Sequence, residues 1–206
     1  MYDYGGGGFV YASGGQALTC KSVFYDGTSA RAYAIDYSNN LYNWDAGSDV
    51  DANIILPNIL YVTSENNNTL AVDTNGDVWY INGNPVKVTG FPNGTRIVSV
   101  AVGDSGNTYY ALDSLGQLWV WGSNNYGQFG NGTSGTSSVT PVRAATSVTN
   151  IEAISTGETG TMYAITSGNN IYRWGYVVSN LSTDQQSIQV NPSLLTTEGS
   201  FTFPAS

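Results

Sequence analysis

The sequence predicts an all-β fold, a β-propeller-like array of four blade-type repeats, and three observations carry that reading. A hairpin pattern recurs four times without a gap, the stretches between copies hold turn residues and short apolar runs, and uncharged polar residues replace charge. Of 206 residues, 41% are hydrophobic and only 10% charged, against about 25% charged in an average soluble chain. Gly, Ser, Thr, Asn and fifteen tyrosines fill the difference. These residues serve corners and pleated surfaces better than helices.

The copies align on an alanine two residues before Asp or Thr. They read Ala34-Ile-Asp36 with Leu41-Tyr42-Asn-Trp44, and Ala71-Val-Asp73 with Val78-Trp79-Tyr-Ile81. The third and fourth are Ala111-Leu-Asp113 with Leu118-Trp119-Val-Trp121, and Ala164-Ile-Thr166 with Ile171-Tyr172-Arg-Trp174. In every copy an aliphatic, an aromatic and a bulky residue stand five, six and eight positions after the Asp or Thr. The third position is always Asn39, Gly76, Gly116 or Asn169, the residue types that tolerate positive φ in a tight turn. Each copy therefore reads strand, turn, returning strand. Period-2 alternation on the returning strand sends residues six and eight to one face and five and seven to the other.

In chain order, residues 1–16 read as a Gly-rich N-terminal arm or closing strand, with Gly5 to Gly8 flanked by Tyr2, Tyr4, Phe9 and Tyr11. Residues 17–206 read as one propeller-like domain with repeats at about 17–62, 63–102, 103–155 and 156–206. Copies start 37, 40 and 53 residues apart, the spacing of four-stranded blades. Further strands are expected at 55–62, 96–102 and 151–155, and the Ser/Thr/Gly-rich stretch 131–149 reads as an insertion. The aromatics of the arm and Phe201 and Phe203 near the end offer strands for ring closure, or an arm that docks on a neighbour.

Residues 107–143 carry a denser signature: Trp121-Gly122, Asn124, Gly127-Gln128-Phe129-Gly130, Gly132 and Pro141. This copy resembles a repeat of the regulator of chromosome condensation family, and the resemblance extends over about residues 30 to 180, where the other copies keep the hairpin and lose the Gly-Gln-x-Gly loop. It implies a β-propeller, commonly of seven blades. Four copies then make a four-bladed ring, an open stack, or a ring completed by other chains. The family's nucleotide exchange on a small GTPase is not carried over, because Tyr109 and Tyr110 stand where it uses a histidine and its basic chromatin-binding elements are missing.

Charge and residue inventory narrow the chemistry. With six Lys and Arg against fifteen Asp and Glu, the net charge of −9 disfavours nucleic acid and anionic membranes. The chain lacks histidine, which removes the common catalytic triads, the usual general base and most zinc sites. No cofactor is expected, and the reading is non-enzymatic. Cys20 is the one cysteine and reads as a buried small hydrophobe. Asp49, Asp51 and Asn53 imitate the opening of a calcium loop, but Ile54 and Leu60 occupy the positions that need Gly and Glu, so solvated loop acids are the expectation. Trp44, Trp79, Trp119, Trp121 and Trp174 occupy repeat-equivalent strand positions and read as packing between blades rather than sugar platforms. Gly76, Gly116, Gly122, Gly127 and Gly130 are read as structural. Tyr126 and Phe129, in the loop after the third hairpin, are the candidates for exposure and ligand contact, with Tyr2, Tyr4 and Phe9 in the arm.

Three function classes follow. The leading expectation is a non-catalytic assembly protein of a virion, made in the cytoplasm and partnered by itself or other shell subunits. It rests on a low-charge surface typical of extracellular β-proteins without a classical leader. The alternatives are a propeller lectin that binds glycans or receptors, and a cytoplasmic protein-interaction scaffold.

Overall fold

The computed structural model describes residues 11–12, 16–26, 30–45, 52–103, 107–144, 147–157, 159–179 and 185–195. Every described regular element is a strand. Four antiparallel sheets of four strands follow one another along the chain, and the sequence of adjacent pairings makes each a simple meander. Blade 1 comprises Cys20–Asp26, Arg31–Asp36, Leu41–Asp45 and Asn53–Leu56; blade 2 comprises Ile59–Glu65, Asn68–Asp73, Val78–Tyr80 and Val86–Lys87. Blade 3 comprises Ile97–Gly103, Thr108–Asp113, Leu118–Asn124 and Thr136–Arg143; blade 4 comprises Ile151–Thr156, Thr161–Thr166, Ile171–Ser179 and Gln185–Leu194. Tyr11–Ala12 pairs with Gln16–Ala17 in a separate two-stranded ribbon, so the described part of the arm pairs with its own neighbour.

The blade boundaries differ from those read along the sequence. Residues 59–62, 97–102 and 151–155 are expected from the sequence to close repeats 1, 2 and 3; the strands that contain them, Ile59–Glu65, Ile97–Gly103 and Ile151–Thr156, each open the next blade instead. The reason is local: each pairs antiparallel with the strand that follows it, and in blade 2 a two-residue turn with positive φ at Asn66 and Asn67 makes the connection. The single strand expected at 55–62 is split at Pro57-Asn58, where Pro cannot donate to the ladder and Asn58 has φ 61°. The stretch 131–149 contributes the outer strand of blade 3, Thr136–Arg143.

The four units share register in detail. A bulge interrupts the first pairing of every blade one residue in, at Cys20/Ser22, Ile59/Tyr61, Ile97/Ser99 and Ile151/Ala153. The third-position turn residues Asn39, Gly76, Gly116 and Asn169 all have positive φ. Asp73 Oδ1 accepts from the backbone N–H of Asn75 and Asp77, and Asp113 Oδ1 does the same for Leu115 and Gln117. The other carboxylate oxygen accepts from Trp79 Nε1 in blade 2 (3.1 Å), Trp119 Nε1 in blade 3 (3.0 Å) and, for Asp36 in blade 1, the Tyr42 hydroxyl (3.2 Å). The repeated Asp is thus a turn cap tied to the aromatic six residues on.

Stacking follows from strand alternation. The face with residues six and eight, here the front, meets the preceding blade; the face with five and seven, the back, meets the following one. Leu41 packs with Trp79 and Ile81 between blades 1 and 2. Val78 and Tyr80 pack with Trp119 and Trp121 between blades 2 and 3. Leu118 and Val120 pack with Tyr172 and Trp174 between blades 3 and 4. A backbone bond repeats at each joint: the carbonyls of Asn39, Gly76 and Gly116 accept from Ile59, Ile97 and Ile151, the first residues of the next blades, at 2.7, 3.0 and 3.4 Å. Burying alternate aliphatic and aromatic side chains on both faces supplies the driving force, at roughly 25 cal/mol per Å² of apolar surface.

Candidate functional site

The loop between the third and fourth strands of blade 3 joins two blades and presents the seam's exposed aromatic. Asn124, fully buried at the strand end, organises it. Its Oδ1 accepts from the Phe129 N–H at 2.9 Å, and its Nδ2 donates to Thr133 and Thr136. Gln128 is also fully buried; its Oε1 accepts from the Tyr126 N–H at 2.8 Å. The Gln128 carbonyl accepts from the Tyr110 hydroxyl of its own blade at 3.2 Å and from Trp174 Nε1 of the next at 2.9 Å. That carbonyl is the bridge between blades 3 and 4.

Two glycines let the loop approach. A Cβ on Gly130 would lie 2.8 Å from Trp174 Nε1, and one on Gly127 2.8 Å from the Val190 Cα in blade 4. The Gly122 position recurs as Gly175: a Cβ would meet the carbonyl oxygen of Asn107 or Gly160 at 2.2 Å, and both have positive φ. Those carbonyls accept from Ser123 and Tyr176, which turns the strand into the loop.

Of the two loop aromatics expected at the surface, the structure separates one from the other. Tyr126 is 37% exposed, whereas Phe129 is 4% exposed and lies in the cluster between blades 3 and 4, drawn inward by the Asn124 bond to its own N–H. Tyr126 is met instead by Tyr176 of blade 4, ring centroids 5.0 Å apart and planes at 61°. Nothing in the repeat pattern singled out Tyr176; the Trp174-Gly175 pair two residues before it is the signal that would have. The pair sits over the blade 3–blade 4 seam on a base whose polar atoms are satisfied internally.

The remaining candidates fall elsewhere. Trp119, Trp121 and Trp174 are buried between blades, Trp79 is half-buried in the joint of blades 1 and 2, and Trp44 is half-buried on the front of blade 1. Asn53 begins an outer strand opposite Asn43, while Asp49 and Asp51 lie outside the described residues, as do Tyr2, Tyr4 and Phe9. Cys20 is half-buried rather than buried, since it sits at the end of the opening strand; burial still pushes its thiol pKa up, which favours the unreactive protonated form. At the opposite rim, among the Asp turns, a cleft of ≈ 490 Å³ opens between blades 3 and 4, lined by Leu115, Gln117, Arg143, Val148 and Asn150. Burial alone would raise the Asp36 carboxyl on that rim, but bonds from Asn40, Ser38 and Tyr42 outweigh it and hold the group below the usual carboxylate range. Burial pushes the Tyr80 and Tyr109 hydroxyls above the ordinary tyrosine value.

Known repeats and solved structures share this architecture. The Regulator of chromosome condensation (RCC1) repeat matches residues 116–164, and a second form of the same repeat matches residues 97–128. Human WBSCR16 superposes with a TM-score of 0.67 at 16% identity over 81% of this chain and 50% of its own. Prp20p from Saccharomyces cerevisiae, whose structure was described with its binding properties to Gsp1p and histones, gives 0.63 at 18% identity over 85% of this chain and 50% of its own. Yeast RCC1 (Prp20), solved bound to Kap60, gives 0.66 at 18% identity over 89% and 50%. The chain spans about half the length of these structures. No curated protein sequence matches it. The four stacked meanders are blades of a β-propeller, and the chain resembles the RCC1 repeat family.

Proposed function

We propose that this chain is a non-catalytic protein-interaction segment whose contact surface is the rim around Tyr126 and Tyr176. The observation that carries the proposal is an aromatic pair, Tyr126 exposed and Tyr176 half-buried, held over a blade seam by a loop whose buried polar groups bond within the protein. Tyrosine offers large amphipathic contact area at low entropic cost, and rigid loops on a fixed scaffold are where propeller-like proteins make contacts. Solved structures with the same fold bind proteins: Prp20p binds Gsp1p and histones, and Kap60 was solved bound to yeast RCC1. The chain has no histidine to serve as a general base, and a scaffold role needs none.

The expectation of a virion component rests on composition alone, and the repeat matches favour the scaffold over it. Binding by the purified chain tests the scaffold. A protein captured saturably by the wild type and at least about tenfold more weakly by Tyr126→Ala, a loss of about 1.4 kcal/mol, supports the rim as a protein site. Capture that ignores both Tyr126→Ala and Tyr176→Ala refutes it. A glycan-array signal lost on the same substitution would assign the rim to a lectin instead.

A further inference from the structure

The joints between consecutive blades repeat one another residue by residue, and at the rim of the Asp turns the joint of blades 3 and 4 departs from its neighbour. In each joint the residue just before the next blade gives its carbonyl to the turn of that blade. Asn58 accepts from the Thr74 N–H, Arg96 from the Ser114 N–H and Asn150 from the Ser167 N–H, at 2.8, 2.9 and 3.0 Å.

Between blades 2 and 3 this place is filled. Arg96 lays its side chain on the blade 2 turn, its Cγ 2.6 Å from where a Cβ on Gly76 would stand, and its Nη1 donates to the Thr74 carbonyl at 3.1 Å. The outer-strand cation is neutralised as well: Lys87, paired with Trp79, meets Asp77 Oδ2 through Nζ at 2.6 Å.

Between blades 3 and 4 both fillers are gone. Asn150 replaces Arg96, and what it brings to the Gly116 turn is its Cα, 3.2 Å from the corresponding point. Arg143 takes the place of Lys87, paired with Trp119, while Gln117 takes the place of Asp77. Arg143 is exposed, and among the described residues no hydrogen bond or ion pair engages its side chain. The carboxylate of this turn, Asp113, is buried, and its oxygens already accept from Leu115, Gln117 and Trp119. The joint of blades 1 and 2 has a small residue too, Asn58, but Ile54 stands where the cation would be. Among the described joints, the one between blades 3 and 4 alone combines an opened turn with an unpaired cation. The product is the cleft of ≈ 490 Å³, in which Arg143, Gln117 and Asn150 are joined by buried Leu118 and Val148 and exposed Leu115. Sites for small ligands span about 300–1,000 Å³.

We infer that this cleft binds a carboxylate carried on a short aliphatic body, with the Arg143 guanidinium as its counter-ion. A guanidinium takes a carboxylate through two parallel N–H bonds, Gln117 and Asn150 bring amide donors, and Leu118 and Val148 suit the apolar body. One cation in a chain of net charge −9 fits a monoanion better than a phosphate dianion. Such a group comes from a free aliphatic acid or from the C-terminal residue of a protein.

Calorimetric titration of the full chain with N-acetyl-leucine, and with a short N-acetylated peptide ending in leucine, separates these sources. Saturable binding of at least one probe is expected, and it should vanish when the same probe carries a C-terminal amide. Comparable affinity for both assigns a free acid; binding at least about tenfold tighter for the peptide assigns a protein C-terminus. Arg143→Gln should weaken binding about tenfold or more, with the β-type circular dichroism retained. Gln117→Asp, which restores the acid of the blade 2 ion pair, should do the same while the arginine stays in place. Tyr126→Ala, at the opposite rim, should leave binding intact. No saturable heat with either acid up to about 10 mM overturns the inference. So does equal binding of the amides, indifference to Arg143→Gln, or loss of binding in Tyr126→Ala.

Discussion

The joint between blades 3 and 4 and the joint between blades 1 and 2 are built on the same hairpins and sealed by different chemistry. Among the described residues the first is apolar and stapled: twelve buried side chains, with the Gln128 carbonyl taking the Trp174 indole N–H. The second has seven buried residues and a polar stitch. There the Tyr33 hydroxyl meets Thr69 Oγ1 at 3.0 Å, and buried Asp26 accepts from Ser64 Oγ at 2.8 Å and the Asn67 N–H at 3.0 Å. The turn and bulge geometry thus sets where blades meet, while the side chains at the seam decide how the meeting responds to mutation and pH.

The largest expected effect breaks the stapled joint. Trp174→Ala removes a fully buried indole and leaves the Gln128 carbonyl with one partner fewer, for a loss of about 3–5 kcal/mol. Trp44→Ala, at the same repeat position on the half-buried front of blade 1, should cost a fraction of that. Paired urea melts of the two variants check the ratio, and equal losses would mean that the front of blade 1 is as well packed as an internal seam.

A smaller effect breaks the polar joint. Asp26→Ala removes the carboxylate acceptor from the half-buried Ser64 Oγ, which keeps Thr69 Oγ1 as a partner, and from the N–H of exposed Asn67, and losing hydrogen bonds to a charged group costs about 1.5–3 kcal/mol at most. Hydrogen exchange should show faster amides at 64–70 and unchanged protection at 162–174, because the two joints share no residue. Uniform acceleration would contradict the picture of separate seams.

Which parts of this were legible in the sequence depends on how far apart the partners lie. The hairpins were, because turn residue, Asp and aromatic sit within eight positions of one another and period-2 alternation fixes their faces. The Asp-to-aromatic bond was written in the same repeat and went unread: Asp73 and Trp79 are six residues apart in the motif that defined the copies. The blade boundaries shifted because an Ile-rich strand reads alike as the last of one sheet or the first of the next, and only pairing decides. Phe129 was misplaced because its burial depends on Asn124 recruiting its backbone and on blade 4 lying behind it. The Tyr126–Tyr176 pair and the Gln128–Trp174 bridge span separations of about fifty residues, beyond what local pattern can specify.

The smallest effect sharpens the comparison through pH. Asp36 caps the blade 1 turn whose Asn39 carbonyl bonds Ile59, so it supports the polar joint, whereas the equivalent in blade 4 is Thr166, which does not titrate. Its pKa is lowered in the folded state because bonds from Asn40, Ser38 and Tyr42 outweigh burial. A group depressed on folding contributes its stability above its unfolded value of about 4, and that contribution is lost as pH falls through the lower folded value. Amides of residues 37–40 and 59 should therefore lose protection on acidification earlier than those of 167–170. Asp36→Asn should reduce that difference while sparing blade 4, since the amide keeps one acceptor oxygen and carries no charge to lose. Hydrogen exchange from neutral pH down to about pH 3 reads both. Equal acid loss at the two turns would show that the carboxylate cap contributes nothing specific to the joint it borders.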